Sequence, residues 1–255
     1  MKIVLFKKNR MLLMFGIVIA YCTVMLTAFG GFSNFKAVLA PKKELPIYCV
    51  QTEEKKASLT FDAAWGNEDT QQLIDILGKY NVKATFFVVG EWVDKFPESV
   101  KALHDAGHEI MNHSNNHKHM PQLSAEEIKK DIDECNSKIQ KVTGVTPILF
   151  RPPYGDYSDR VITTLRDMKM YTIQWDVDSL DWMDKTADYI VNRVTTKVKN
   201  GSIVLFHNAA KNTPEALPRI IEKLQSDGYS LIKVSEIIYK DNYEIIHDGT
   251  QCKIS

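Results

Sequence analysis

The sequence predicts an α/β protein, a distorted (β/α) barrel of seven strands preceded by one N-terminal transmembrane helix. Three observations lead there. Short apolar strands alternate with amphipathic helical segments, ionisable residues stand at the ends of five different strands, and an uncharged run of 22 residues occupies 11–32. Strand–helix alternation implies a parallel sheet. A barrel gathers its strand ends around one mouth, whereas an open sheet would leave these polar tips far apart.

The apolar run, MLLMFGIVIAYCTVMLTAFGGF, follows Lys2, Lys7, Lys8 and Arg10 and is long enough to span a bilayer. The positive-inside rule then puts the N-terminus in the cytoplasm and the remainder outside, anchored in the membrane. A cleaved signal peptide with a secreted product competes with this reading, although Pro41 follows the best cleavage candidate, Val38-Leu39-Ala40. The organisation expected is a basic stub and anchor over 1–33, a tether over 34–46 and one domain over 47–255. Roughly 210 residues suffice for a single core without disulfide staples.

Within the domain the strands fall at 57–62 (ASLTFD), 84–89, 109–114, 148–153, 171–178, 202–208 and 229–234. The clearest helix is 125–142, opened by the capping box Ser124-Ala-Glu-Glu127 and stopped by Gly144. Residues 1–35 carry four basic and no acidic residues; the remainder holds 28 basic against 32 acidic ones, which gives no electrostatic reason to expect nucleic acid. The four cysteines show no CxxC spacing, so no cysteine metal cluster is expected. A bridge between Cys49 and Cys252, which flank the domain, suits an oxidising export compartment.

Five groups carry candidate chemistry. His113-Ser-Asn-Asn-His117 sets two imidazoles four residues apart where a strand ends, so both can face one metal ion; His119 is expected to face away. Asp62 ends Leu-Thr-Phe-Asp, where a carboxylate could take a proton from water. His207 ends Ile-Val-Leu-Phe-His, where an imidazole could give a proton to a leaving amine. Arg151-Pro-Pro-Tyr-Gly155 is a rigid turn suited to presenting an N–H to an oxyanion. Asp178-Ser-Leu-Asp181-Trp182 puts two acids beside an indole that can stack on a sugar. Taken singly, each also fits a plain structural role, as a strand-end acid, a satisfied buried histidine or a tight loop.

Together and in this order, Thr60-Phe-Asp62, His113-Ser-x-x-His117, Arg151-Pro-Pro-Tyr-Gly155, Asp178-Ser-Leu-Asp181-Trp182 and Leu205-Phe-His207 resemble the polysaccharide deacetylase (NodB-homology, carbohydrate esterase) family over about 47–240. The resemblance implies removal of N-acetyl groups from amino sugars of cell-wall glycan, peptidoglycan above all, with release of acetate. It assigns Asp62 as base, His207 as acid, Arg151 as the group orienting Asp62 and Asp181 as the group tuning His207. Tyr154 would bind the oxyanion through its N–H, Trp182 and Leu205 would enclose the acetyl methyl, and His113 and His117 would hold a divalent metal, zinc. One position departs: the family's second Asp, its third metal ligand, is Ala63. Water, substrate oxygen, Asn67 or Asp69 are the candidates to fill that place. A metal-free, catalytically degenerate glycan-binding protein is the alternative. The form Phe-Asp-Ala-Ala-Trp-Gly further resembles the sporulation-associated PdaB-type subgroup, which implies a spore-wall role.

Overall fold

The computed structural model describes residues 14–21, 23 and 43–254. Two compact units divide the chain, Met1–Lys42 and Lys43–Ser255. Residues 14–21 of the first are helical. Among the described residues no helix is long and apolar enough to cross a membrane; the predicted span 11–32 lies mostly outside them, as do the candidate cleavage site and Cys22.

In the second unit the strands run β1 (Cys49–Val50), β2 (Lys56–Ala63), β3 (Thr85–Val88), β4 (Glu109–Asn112), β5 (Leu149–Phe150), β6 (Tyr171–Thr172), β7 (Val177–Asp178), β8 (Ser202–His207), β9 (Ser230–Leu231), β10 (Tyr243–Ile245) and β11 (Thr250–Lys253). The principal helices are α1 (Thr70–Lys79), α2 (Gly90–Lys95), α3 (Pro97–Asp105), α4 (Ala125–Thr143), α5 (Asp159–Asp167), α6 (Ala187–Lys197), α7 (Thr213–Ser226) and α8 (Val234–Ile237). Parallel pairing in the order β8-β2-β3-β4-β5-β6 makes a curved α/β half-barrel.

Alternation along β2 sorts its side chains. Leu59, Phe61 and Ala63 enter the core between sheet and helices, so Ser58, Thr60 and Asp62 point the other way, into the barrel. Phe61 stacks on Phe86 at 4.8 Å and on Phe206 at 5.4 Å, tying three neighbouring strands; such pairs are worth about 0.5–1.5 kcal/mol each beyond their buried area. Helix α4 begins and ends within a residue of its predicted bounds because its caps are local. The Ser124 side chain accepts from Glu127 N–H, the Glu127 carboxylate accepts from Ser124 N–H, and Gly144 closes the helix at φ 75°.

The structure departs from the seven-strand barrel in two ways. The predicted strand 171–178 is broken: Ile47 inserts beside Ile173, its N–H donating to Thr172 O and its carbonyl accepting from Gln174 N–H. The chain therefore leaves β5 at β6 and reaches β8 only at β7. Strands β1, β10 and β11 were not predicted and extend the sheet beyond β8, with β1 antiparallel to β8 and parallel to β11. Gly201 is required at that junction, since a Cβ there would meet Val50 O at 1.7 Å. The Cys49–Cys252 bridge is not formed. Cys49 stands opposite Thr250, with Sγ 3.4 Å from its Oγ1, while Cys252 pairs with Glu244, and both thiols are free.

Candidate active site

Strand register brings the two expected proton carriers side by side: Asp62 at the end of β2 is the direct partner of His207 at the end of β8. His113 follows β4, with its N–H on Val88 O, and Arg151 follows β5, with its N–H on Asn112 O. Parallel neighbours thus deliver all four residues to one end of the barrel. A cavity of about 510 Å³ opens there, lined by Asp62, His113, His117 and His207 together with Tyr154, Trp182, Leu205, Trp65, Trp175, Ala64 and Asp178.

Arg151 is fully buried. Its guanidinium donates to Asp62 Oδ1 at 2.7 Å, Thr60 Oγ1 at 2.8 Å and Gln174 O at 3.1 Å, and lies 4.2 Å from the Phe87 ring centroid. Burial alone would raise the Asp62 carboxyl, but Arg151, with His113 and His207, outweighs it and holds Asp62 below the ordinary carboxylate range. Asp62 is therefore an ionised acceptor.

On the neighbouring strand, His207 Nδ1 is 2.8 Å from Asp181 Oδ1. A carboxylate only accepts, so Nδ1 carries the proton. Asp181 is itself fixed by three donors, since its Oδ2 also accepts from His207 N–H at 2.8 Å and from Thr213 Oγ1–H at 2.7 Å. Burial would depress the imidazole, yet the Asp181 hydrogen bond and charge prevail, so His207 protonates above the ordinary histidine range. Asp62 and His207 are thus poised in opposite senses, one to accept a proton and one to give it.

The two remaining imidazoles are kept neutral. Burial depresses His113, whose Nδ1 lies 2.8 Å from Arg151 O and whose Nε2 is 3.5 Å from Asp62 Oδ2. Burial likewise pushes His117 down to about 4. Its Nδ1 is buried without a hydrogen-bond partner, and its ring centroid is 5.0 Å from that of His113. Neutral imidazoles are the ligating form, but a three-ligand metal centre is not assembled. Among the described residues no group of three His, Cys, Asp or Glu side chains could hold a metal ion. Ala63 is packed in the core behind β2, its carbonyl bonded to Val89 N–H. Asn67 Nδ2 donates to Ser99 Oγ, and Asp69 accepts from Ala209 N–H through Oδ2 while its Oδ1 is buried without a partner. Neither Asn67 nor Asp69 lines the cavity, and the donors present do not fit a resident zinc site with three protein ligands.

Tyr154, Trp182 and Leu205 also line the cavity. Tyr154 sits in the left-handed region at φ 61° within the turn Pro153–Gly155. The two following amides are tied back to Pro152 O and Pro153 O. Leu205 forms the floor of the cavity and Trp182 an exposed part of its rim. His119 is not part of the cavity lining; it stacks on Tyr154 at 4.2 Å, and its Nδ1 is 3.0 Å from Asp156 Oδ2. Sequence reasoning missed Gln174, Thr213, Trp65 and Asn208 as parts of the site. Thr60 could have been found, since the two-residue period of β2 puts it on the face of Asp62.

A family model described as polysaccharide deacetylase matches residues 50–173. A peptidoglycan-N-acetylglucosamine deacetylase of Bacillus cereus is 36% identical over 194 residues, covering 74% of this chain and 91% of the relative. This chain belongs to the polysaccharide deacetylase family. The match to the peptidoglycan-N-acetylmuramic acid deacetylase PdaC of Bacillus subtilis is 36% over 202 residues, 79% of this chain but only 42% of that longer protein. Among solved structures, BA3943 of Bacillus anthracis, described as a CE4 family pseudoenzyme, superposes with a TM-score of 0.74 at 37% identity, covering 76% of this chain and 69% of BA3943. A mutant of BA3943 described as having restored enzymatic activity superposes equally well.

Proposed function

We propose that this polysaccharide deacetylase hydrolyses the N-acetyl groups of amino sugars in peptidoglycan. The carrying observation is the pair on neighbouring strands: Asp62, bonded to Arg151 and so held toward its ionised form, and His207, bonded to Asp181 and so favoured toward its protonated form, facing one cavity. Asp62 takes a proton from water as its oxygen attacks the acetyl carbon. The Tyr154 N–H receives the oxyanion, and His207 gives its Nε2 proton to the amide nitrogen as the C–N bond breaks, its Nδ1 proton staying hydrogen-bonded to Asp181, leaving acetate and a free amino sugar. Leu205 and Trp182 close around the methyl.

The substrate supports a place outside the cytoplasm, and the basic-flanked run 11–32 supports an anchor or an export signal. The Phe-Asp-Ala-Ala-Trp-Gly sequence supports a role in spore wall. Ala63 and the likeness to the BA3943 pseudoenzyme favour a second reading, a glycan-binding protein that has lost the reaction. Incubating the chain with purified muropeptides separates the two. Mass spectrometry showing fragments that have lost acetyl groups supports hydrolysis; unchanged fragments that are nonetheless retained by the protein support binding alone.

A further inference from the structure

Trp65 is 65% exposed yet held firmly in place. Its own carbonyl accepts from Asn208 Nδ2 at 2.6 Å, and the next carbonyl, of Gly66, accepts from the same amide at 2.8 Å and from Trp92 Nε1 at 2.5 Å. Asn208 Oδ1 in turn accepts from Ala64 N–H at 3.3 Å. One side chain, directly after His207, therefore grips three consecutive residues of the loop. Gly66 makes the turn at φ 58°, where a Cβ would come within 2.3 Å of Glu68 Oε2. The indole stands edge-on to His117 at 5.0 Å and forms part of the cavity wall.

With the indole mostly in water, the hydrophobic effect rewards little of its area. The arrangement does create a rigid flat platform at the mouth of a cavity, and an indole face suits the C–H face of a pyranose. We infer that Trp65 is a sugar-stacking residue of the cavity and that Asn208 is the positioning residue that holds it there. This inference rests on the glycan reading above and adds to it a second aromatic contact besides Trp182.

The test is titration calorimetry of the full chain carrying Asp62→Asn, so that turnover does not alter the ligand, with the tetramer of N-acetylglucosamine and a defined peptidoglycan tetrasaccharide as probes. Adding Trp65→Ala is expected to weaken binding about fivefold to tenfold, the scale of one aromatic contact, and Trp65→Phe to recover most of it. Asn208→Ala should weaken binding similarly, and combining it with Trp65→Ala should cost little more than either alone, because both act through the same ring. In the chain with Asp62 intact, Trp65→Ala should raise KM with kcat little changed. Affinity and KM unmoved by Trp65→Ala would overturn the inference while leaving the deacetylase reading standing. No binding of either probe, with no saturation of the active chain, would overturn both.

Discussion

Replacing Arg151 by Met tests whether the buried guanidinium exists to keep Asp62 charged. The side chain is fully buried and bonded to Asp62, Thr60 and Gln174, so its loss leaves a buried carboxylate in the barrel with no cation bonded to it. Breaking a buried pair from one side costs about 3–5 kcal/mol, and urea denaturation at pH 7 should show a deficit of that order. Asp62→Asn added to Arg151→Met removes the stranded charge. The two changes should therefore be non-additive, with a coupling of about 2–3 kcal/mol. The sign with pH follows from the carboxyl. In the native chain Asp62 protonates below its ordinary range, so its stabilisation is present above the unfolded-state value and is lost as pH falls through the lower folded one. In Arg151→Met burial dominates and raises that carboxyl, so the deficit should be full at neutral pH and shrink on acidification. Additive costs, or a deficit that does not change with pH, would refute the reasoning.

The same electrostatics predict a bell-shaped rate profile, with an acid limb below the ordinary carboxylate range from Asp62 and an alkaline limb above the ordinary histidine range from His207. Asp181→Asn should move the alkaline limb toward acid, as read from kcat/KM across pH; an unmoved limb would count against His207 as the acid. Zinc equilibrated with the protein and then dialysed should remain substoichiometric, because two imidazoles lack the anionic partner that Ala63 cannot supply. Metal analysis giving one tightly held ion per chain would contradict this. Ser124→Ala should cost about 1 kcal/mol through loss of the α4 capping box, measured by denaturation, without altering KM.

Much of this was legible because it is local. Caps and turn residues bound α4, alternation marks the faces of β2, and polar termini such as Asp62 and His207 announce a mouth at the end of apolar strands. What was not legible depends on partners distant in sequence. The break at 173–176 is caused by Ile47, more than a hundred residues away in sequence, which no period in YTIQWDVD reveals. Strand β1 is two residues long and forms only by pairing with the distant β8 and β11, while β10 and β11 are short strands of a local hairpin that β1 joins to the sheet. In the site, Thr213 reads as the start of a helix until Asp181 is seen beside it, and Asn208 as a loop residue until the Trp65 carbonyl is seen in its grip. Ala63 could be read as a missing ligand, but only the structure shows that its side chain turns into the core and that neither Asn67 nor Asp69 lines the cavity.

Acetate release from an N-acetylated peptidoglycan tetrasaccharide, followed for the full chain beside its Asp62→Asn and His207→Ala variants, bears most directly on the proposal that these two residues carry the reaction. The account predicts steady release by the unsubstituted chain and a loss of at least about a hundredfold in each variant, the usual contribution of a general acid or base. Release that survives both substitutions, or none from the unsubstituted chain while it still binds the glycan, would contradict it.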